Sequence, residues 1–302
     1  MANLKEVRDR IGSVKNTKQI TKAMKMVSAA KLRRAQQAIQ QMRPYANKLN
    51  DMLVNILSNL DGSADTKFGT ERPVVRACQV VVTSNRGLAG AFNSNVVKAA
   101  VANIDAKFSE VHAAGKLTIL CIGKKGYEYF SKRYPNATVV SDYVALFDNL
   151  SFDNVAKVSQ ALMNGFAEGE FDAVDVAYVR FKNAAVQFSE NEQWLPVAKL
   201  EQEKTTDKKD AAKIKANYIF EPNQAALLEY LVPSILKTTF QKYLLDTHAS
   251  EHGARMTAMD KATENADELL KTLKISYNKA RQEAITSEIL EIVGGAAALE
   301  EG

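Results

Sequence analysis

The residues with the greatest potential for chemistry in this chain are few, and most lie far apart in sequence. His248-Ala249-Ser250-Glu251-His252 has the H-x-x-E-H spacing of inverted zinc peptidases. Two histidines one helical turn apart could share a metal ion. Packing is the favoured reading, because His252 falls on the inner row of a helical heptad and His112 belongs to another region. Ser84-Asn85-Arg86-Gly87-Leu88-Ala89-Gly90 lies between a strand and a helix, where a phosphate-binding turn would sit. It has neither the G-x-G-x-x-G pattern nor the Gly-Lys-Ser/Thr end of a P-loop, so a tight turn is expected, without nucleotide. Cys78 and Cys121 each lie in an apolar run and read as two buried thiols. No catalytic residue, no metal site and no cofactor is expected.

Charge is the next signal. The chain has 302 residues and a net charge of +5, but residues 1–50 carry twelve basic side chains against two acids, Glu6 and Asp9. That local excess of ten leaves the remainder of the chain net acidic. A basic surface on an extended element implies an acidic partner: nucleic acid, lipid or an acidic protein loop. No apolar run reaches the roughly 18 residues that a membrane span needs. The first ten residues carry acids and no apolar core, so no secretory signal is expected. The expectation is a soluble chain made in the cytoplasm and able to dock on a membrane complex.

Two long helices must carry these residues. From the N-terminus, Leu4, Ile11, Lys18, Lys25, Leu32, Ile39, Ala46, Leu53 and Leu60 recur every seven residues, with Val7, Val14, Thr21, Ser28, Ala35, Met42, Leu49 and Ile56 as the companion row. These are the a and d positions of a coiled coil. The seam is expected to fail between Lys18 and Ser28, where the apolar residues move to Ile20, Ala23, Met24 and Val27 and so face a second surface. Pro44 is expected to kink the helix. At the other end, Pro222 suits a first helical turn. Leu228, Ile235, Lys242, Ala249, Met256, Thr263, Leu270, Tyr277 and Ala284 form one row there. Leu231, Thr238, Leu245, His252, Met259, Ala266, Leu273 and Ala280 form the other, and Pro233 is expected to break or kink the start. At 1.5 Å per residue the helices would span roughly 85 and roughly 115 Å. Each is the natural antiparallel partner of the other.

Between them the period changes. Strands are expected over 74–83, 117–122, 138–140, 173–181 and 185–188, and helices over 95–108, 127–134 and 154–168. This alternation argues for a parallel, Rossmann-like α/β sheet. Residues 201–215 read as a polar surface loop. The expected division is 1–60 for the N-terminal coiled-coil helix, 70–220 for the Rossmann-like domain and 222–302 for the C-terminal coiled-coil helix. Beyond the seam, Ile285, Ile289, Ile292, Val293 and Ala296 continue the helical pattern, with no charge between Glu291 and Glu300. A slim tip that outlasts its partner helix must enter another protein or fray.

At both termini the sequence resembles the γ subunit family of F-type ATP synthases, of bacterial type. The run Ile20-Thr21-Lys22-Ala23-Met24-Lys25-Met26-Val27-Ser28-Ala29-Ala30-Lys31 is similar to the family's opening helix. Ala254-Arg255-Met256, Tyr277-Asn278-Lys279-Ala280-Arg281-Gln282, Ile285-Thr286-Ser287-Glu288, Glu291 and Gly295-Ala296 are similar to its closing signature, and Arg86-Gly87-Leu88 also fits. The resemblance covers the chain in order. It implies a non-catalytic central-stalk rotor that couples proton flow to ATP synthesis. The coiled coil would enter a ring of three α and three β subunits, and the α/β domain would contact ε and the c-ring. The location implied is the cytoplasmic face of the bacterial inner membrane, peripheral.

The resemblance also implies contacts to β at Met24, Lys25, Arg255, Arg281, Gln282 and Thr286, with Glu291 at a further signature position. Reversing Lys22 and Lys25 to Glu is expected to weaken coupling and spare helicity. Chloroplast members carry a cysteine-containing insert before the last helix. The 201–215 segment has no cysteine, so no thiol switch is expected. Two other readings stand beside the rotor: a basic coiled-coil nucleic-acid binder, and a Rossmann-like enzyme using the Gly87 to Gly90 turn.

Overall fold

The computed structural model describes residues 4–59, 67–197 and 224–300. The 201–215 segment, Pro222 and Leu60 lie outside them. In chain order the elements are α1 (Leu4–Asn59), β1 (Ala77–Val82), α2 (Phe92–Lys107), α3 (Ser109–Ala113), β2 (Leu117–Ile122), α4 (Lys124–Arg133), β3 (Thr138–Val140), α5 (Phe152–Ala167), β4 (Ala173–Phe181), β5 (Gln187–Leu195) and α6 (Gln224–Glu300). Pro44 lies inside α1 and Pro233 inside α6, and neither ends its helix. The chain divides into two compact units, residues 30–254 and residues 1–29 with 255–302.

The larger unit is built on one five-stranded sheet of order β3-β2-β1-β4-β5. The first four strands are parallel, joined through the helices that follow them. Strands β1 and β2 are nearly continuous apolar runs because both faces of the sheet are covered. One face packs Val81, Ile119 and Cys121 with Phe92, Ile104 and Phe130. The other packs Cys78, Val80, Val176 and Tyr178 with Val158, Met163, Leu231, Phe240 and Leu244, so α6 joins α5 as a covering layer.

In the β1–β2 register Val81 stands opposite Cys121 and Cys78 opposite Thr118. An odd offset puts the two cysteines on opposite faces. Burial pushes both thiols up to about 12, which leaves them unreactive at neutral pH.

One strand departs from the sequence expectation. β5 spans Gln187–Leu195, not 185–188, and runs antiparallel to β4. The connection is too short for a crossover helix, so a hairpin is the only closure. Asn183 shapes it, its Oδ1 accepting from the amides of Ala185 (3.0 Å) and Val186 (2.6 Å). Glu190, Asn191, Glu192 and Gln193 interrupt any apolar pattern, which hides the strand from a hydropathy reading. Elsewhere Gly123 turns the chain out of β2 at φ +103°, where a Cβ would stand only 2.0 Å from the Thr83 carbonyl oxygen. Only glycine fits there.

From residue 243 to 253 α6 is buried almost all round. The β1–β4 ladder ends at Val81–Ala177, and α6 takes over beyond it. The Val179 amide donates to Thr247 Oγ1 (3.2 Å), and Ser250 Oγ donates to the Val179 carbonyl (3.4 Å). Trp194 Nε1 donates to the Leu236 carbonyl at 3.3 Å.

In the smaller unit α1 and α6 run antiparallel. Thr21 meets Thr263, Lys25 meets Asp260 and Lys18 meets Asp267. Apart from Arg255, the buried positions are Val7, Thr21 and Ser28 on α1, with Met259, Ala266 and Leu273 on α6. These are d-row positions read from the sequence.

Candidate binding surfaces

The seam does not fail between Lys18 and Ser28, as its apolar pattern suggests. It continues with polar residues. Thr21 Oγ1 lies 2.8 Å from Thr263 Oγ1, and Thr263 Oγ1 donates to the Met259 carbonyl at 2.7 Å. Lys25 Nζ reaches Asp260 Oδ1 at 2.5 Å, and Lys18 pairs with Asp267. Sequence reasoning missed Asp260 and Asp267 because it scored only apolar residues. The available signal was an acid on α6 at each register position facing a seam lysine.

Because polar groups fill the seam, the apolar stripe turns outward. Ile20, Met26 and Val27 are 59%, 61% and 57% exposed. Met24 is half-buried and Lys22 exposed. Lys25 carries an ion pair within the helix pair, and Arg255 is buried. The structure therefore separates the expected contact residues into two kinds, outward-facing and packed.

Arg281, Gln282 and Thr286 are exposed, and Thr286 Oγ1 donates back to the Gln282 carbonyl at 2.9 Å. The helix register places Leu4 opposite Arg281. Beyond that point every residue over 281–296 is exposed, including Ile285, Ile289, Leu290, Ile292 and Val293. Isolated exposed apolar residues are ordinary, but a run of them along several turns marks an interaction surface.

In the larger unit, polar groups of the Ser84–Gly90 turn bond within the turn and to the first turns of α2 and α4. Asn93 Oδ1 accepts from the Ser84 amide (3.0 Å), Ser84 Oγ donates to the Arg86 carbonyl (2.7 Å), and Asn85 Oδ1 accepts from the Lys124 amide (3.1 Å). The left-handed residues are Leu88 at φ +63° and Gly90 at φ +58°. Leu88, 64% exposed, thus takes a conformation that favours glycine.

A cavity of about 700 Å³ lies among α1, β4, β5 and α6, lined in part by Arg43, Glu192, Lys242, Tyr243 and Asp246. Glu192 accepts from the hydroxyls of Tyr178 (2.6 Å) and Tyr243 (2.7 Å). Burial, reinforced by this carboxylate, raises both phenols well above their ordinary value. Burial also raises Asp246 to about 6, against the opposing charges of Lys242 and Arg43. Sequence reading did not identify this cluster, since its members come from three distant segments.

His248 and His252 do come together, with Nε2 to Nε2 at 3.0 Å. Among the described residues no group of three or more His, Cys, Asp or Glu is placed to hold a metal, and no helix is long and apolar enough to cross a membrane.

Residues 3–299 match the family model described as ATP synthase. The chain is 54% identical over 299 residues to the ATP synthase gamma chain of Cytophaga hutchinsonii, and 50% identical over 299 residues to that of Flavobacterium psychrophilum. Each alignment covers 99% of both chains. Among solved structures it is similar in fold to a chain of the Euglena gracilis mitochondrial ATP synthase OSCP/F1/c-ring assembly, at TM-score 0.64 and 23% identity. That match covers 99% of this chain and 95% of the other. A chain of the Tetrahymena thermophila mitochondrial ATP synthase central stalk and c-ring matches at TM-score 0.52 and 21% identity, covering 80% of this chain and 99% of that one.

Proposed function

This chain belongs to the ATP synthase gamma chain family, and from that membership we propose that it is the central-stalk rotor of an F-type ATP synthase, non-catalytic itself. It would couple proton flow through the membrane sector to ATP synthesis in the α/β head. The observation that carries the reading is the exposed tip of α6 over 281–296, which presents Ile285, Ile289, Leu290, Ile292 and Val293 outward between its polar residues. Such a surface suits a sleeve formed by other subunits.

The partners in this reading are three α and three β subunits, ε and the c-ring. The location is peripheral, on the cytoplasmic face of a bacterial inner membrane. The working division is 1–60 and 222–302 for the shaft and 70–220 for the α/β domain. As the shaft turned, its uneven surface would favour a different state of each β subunit in succession, because a ligand shifts an equilibrium only by its differential contacts.

Arg281, Gln282 and Thr286 would touch β directly from the exposed tip, and Met24 would do so beside the outward stripe. Lys25 and Arg255 would act by holding the helix pair in position.

The test is purification of a tagged copy from its native membrane. Recovery of α, β, ε and c with ATP hydrolysis is the expected result. A lone chain, or one carrying nucleic acid, would overturn the reading in favour of a basic coiled-coil binder. Lys22→Glu sharpens it. Lys22 is exposed, whereas reversing Lys25 would also set an acid against Asp260. The variant should weaken coupling with unchanged helicity.

A further inference from the structure

We infer that His248 and His252 form a two-imidazole chelate for a divalent transition-metal ion, across one turn of α6. Two groups on neighbouring turns of a helix face the same side, and here the facing atoms are the same ring nitrogen. Nε2 of His248 and Nε2 of His252 stand 3.0 Å apart, with the rings at 75° and their centroids 4.5 Å apart. Metal–nitrogen bonds of about 2.0–2.1 Å to both atoms would subtend roughly 91–97° at the metal. That is the angle between adjacent ligands in octahedral or square-planar coordination, and a widening of about 0.3 Å reaches the tetrahedral value.

The surroundings favour a fixed pair. His252 is 5% exposed, so its ring is held by packing. Phe147 stacks on His248 with centroids 5.7 Å apart and planes 16° from parallel. His248 is half-buried, which leaves the approach on its side, and water would fill the remaining coordination positions. Imidazole selects zinc, copper and nickel over magnesium and calcium, which prefer oxygen.

In the metal-free pair one Nε2 carries the shared proton and the other accepts it. Coordination needs both Nε2 atoms bare, so the donor ring moves its proton to its own Nδ1 through solvent. The pair remains neutral and no proton is lost overall. The H-x-x-E-H spacing alone favoured packing; the converged nitrogens are what the sequence does not show. The bound ion would clip one turn of the stretch of α6 that is buried almost all round.

Zn²⁺ titration of the full-length chain labelled with ¹⁵N-histidine tests this. The chain has three histidines. Two should shift together at one Zn²⁺ per chain, while His112 stays still. H248Q, at a half-buried position, should weaken binding by at least about tenfold, and H248Q/H252Q should abolish it. Absence of stoichiometric binding, binding unchanged in the double variant, or a shift centred on His112 would each overturn the inference. The wild-type spectrum decides even where a variant fails to fold.

Discussion

Residues 32–49 of α1 bury Leu32, Ala35, Ile39 and Leu49, and residues 228–249 of α6 bury mainly apolar side chains, among them Leu228, Leu231, Leu245 and Ala249. Residues 18–28 and 256–267 meet instead through two Lys–Asp pairs and a Thr–Thr contact. The same two helices thus carry an apolar stretch in one unit and a polar stretch in the other. Burying an aliphatic side chain contributes about 1.5–3 kcal/mol, whereas a partly exposed ion pair contributes about 0–1 kcal/mol. The apolar stretch supplies stability. The polar stretch supplies register, since each lysine has one acid to meet, and it leaves Ile20, Met26 and Val27 facing outward. A shaft that must contact other subunits needs its apolar residues on the outside at that point.

The largest expected effect breaks the apolar stretch. Phe240 is fully buried with its ring 5.2 Å from that of Trp194. Phe240→Ala should cost about 3–5 kcal/mol in urea unfolding. Thr21→Ala should cost about 1 kcal/mol, a lost hydrogen bond. Equal losses would erase the contrast.

The next effect comes from the one acid in the apolar stretch whose ionisation opposes folding. Asp246 titrates at about 6 when folded, against about 3.9 unfolded. The folded state therefore holds the proton more tightly, and stability falls as pH rises from about 4 to about 6. Asp246→Asn should stabilise the chain at pH 8, by at most about 3 kcal/mol, and have no such effect below pH 4. Melting curves at the two pH values check it. A gain equal at both would mean that ionisation is not the cause.

Much of this was legible in the sequence. The d row of α6 is buried from Leu231 to Leu273, and β2 and β3 fall where hydropathy put them. The missed features share a physical cause. β5 carries alternating acids and amides because Glu192 bonds two tyrosines and Asn191 accepts from Gln79 (2.8 Å). The polar seam looked like a gap because its partners lie more than two hundred residues away. Polar complementarity between distant segments has no local period, so a hydropathy pattern cannot report it. The contact residues on the tip were legible only through family resemblance, since exposure by itself does not name a partner.

The smallest effect tests whether the polar stretch sets register. Lys18 and Asp267 are each partly exposed, so Lys18→Ala and Asp267→Ala should each cost only about 0.2–1 kcal/mol. The coupling energy from the double-mutant cycle should be about 0.5 kcal/mol and shrink as salt rises from 0.01 to about 1 M. The charge swap Lys18→Asp with Asp267→Lys should recover most of what either reversal alone loses, because the pair needs opposite charges and not a given polarity. Were the swap as unstable as a single reversal, the seam would be reading side-chain shape rather than charge. The Thr21–Thr263 contact would then be the element that sets the register of the two helices.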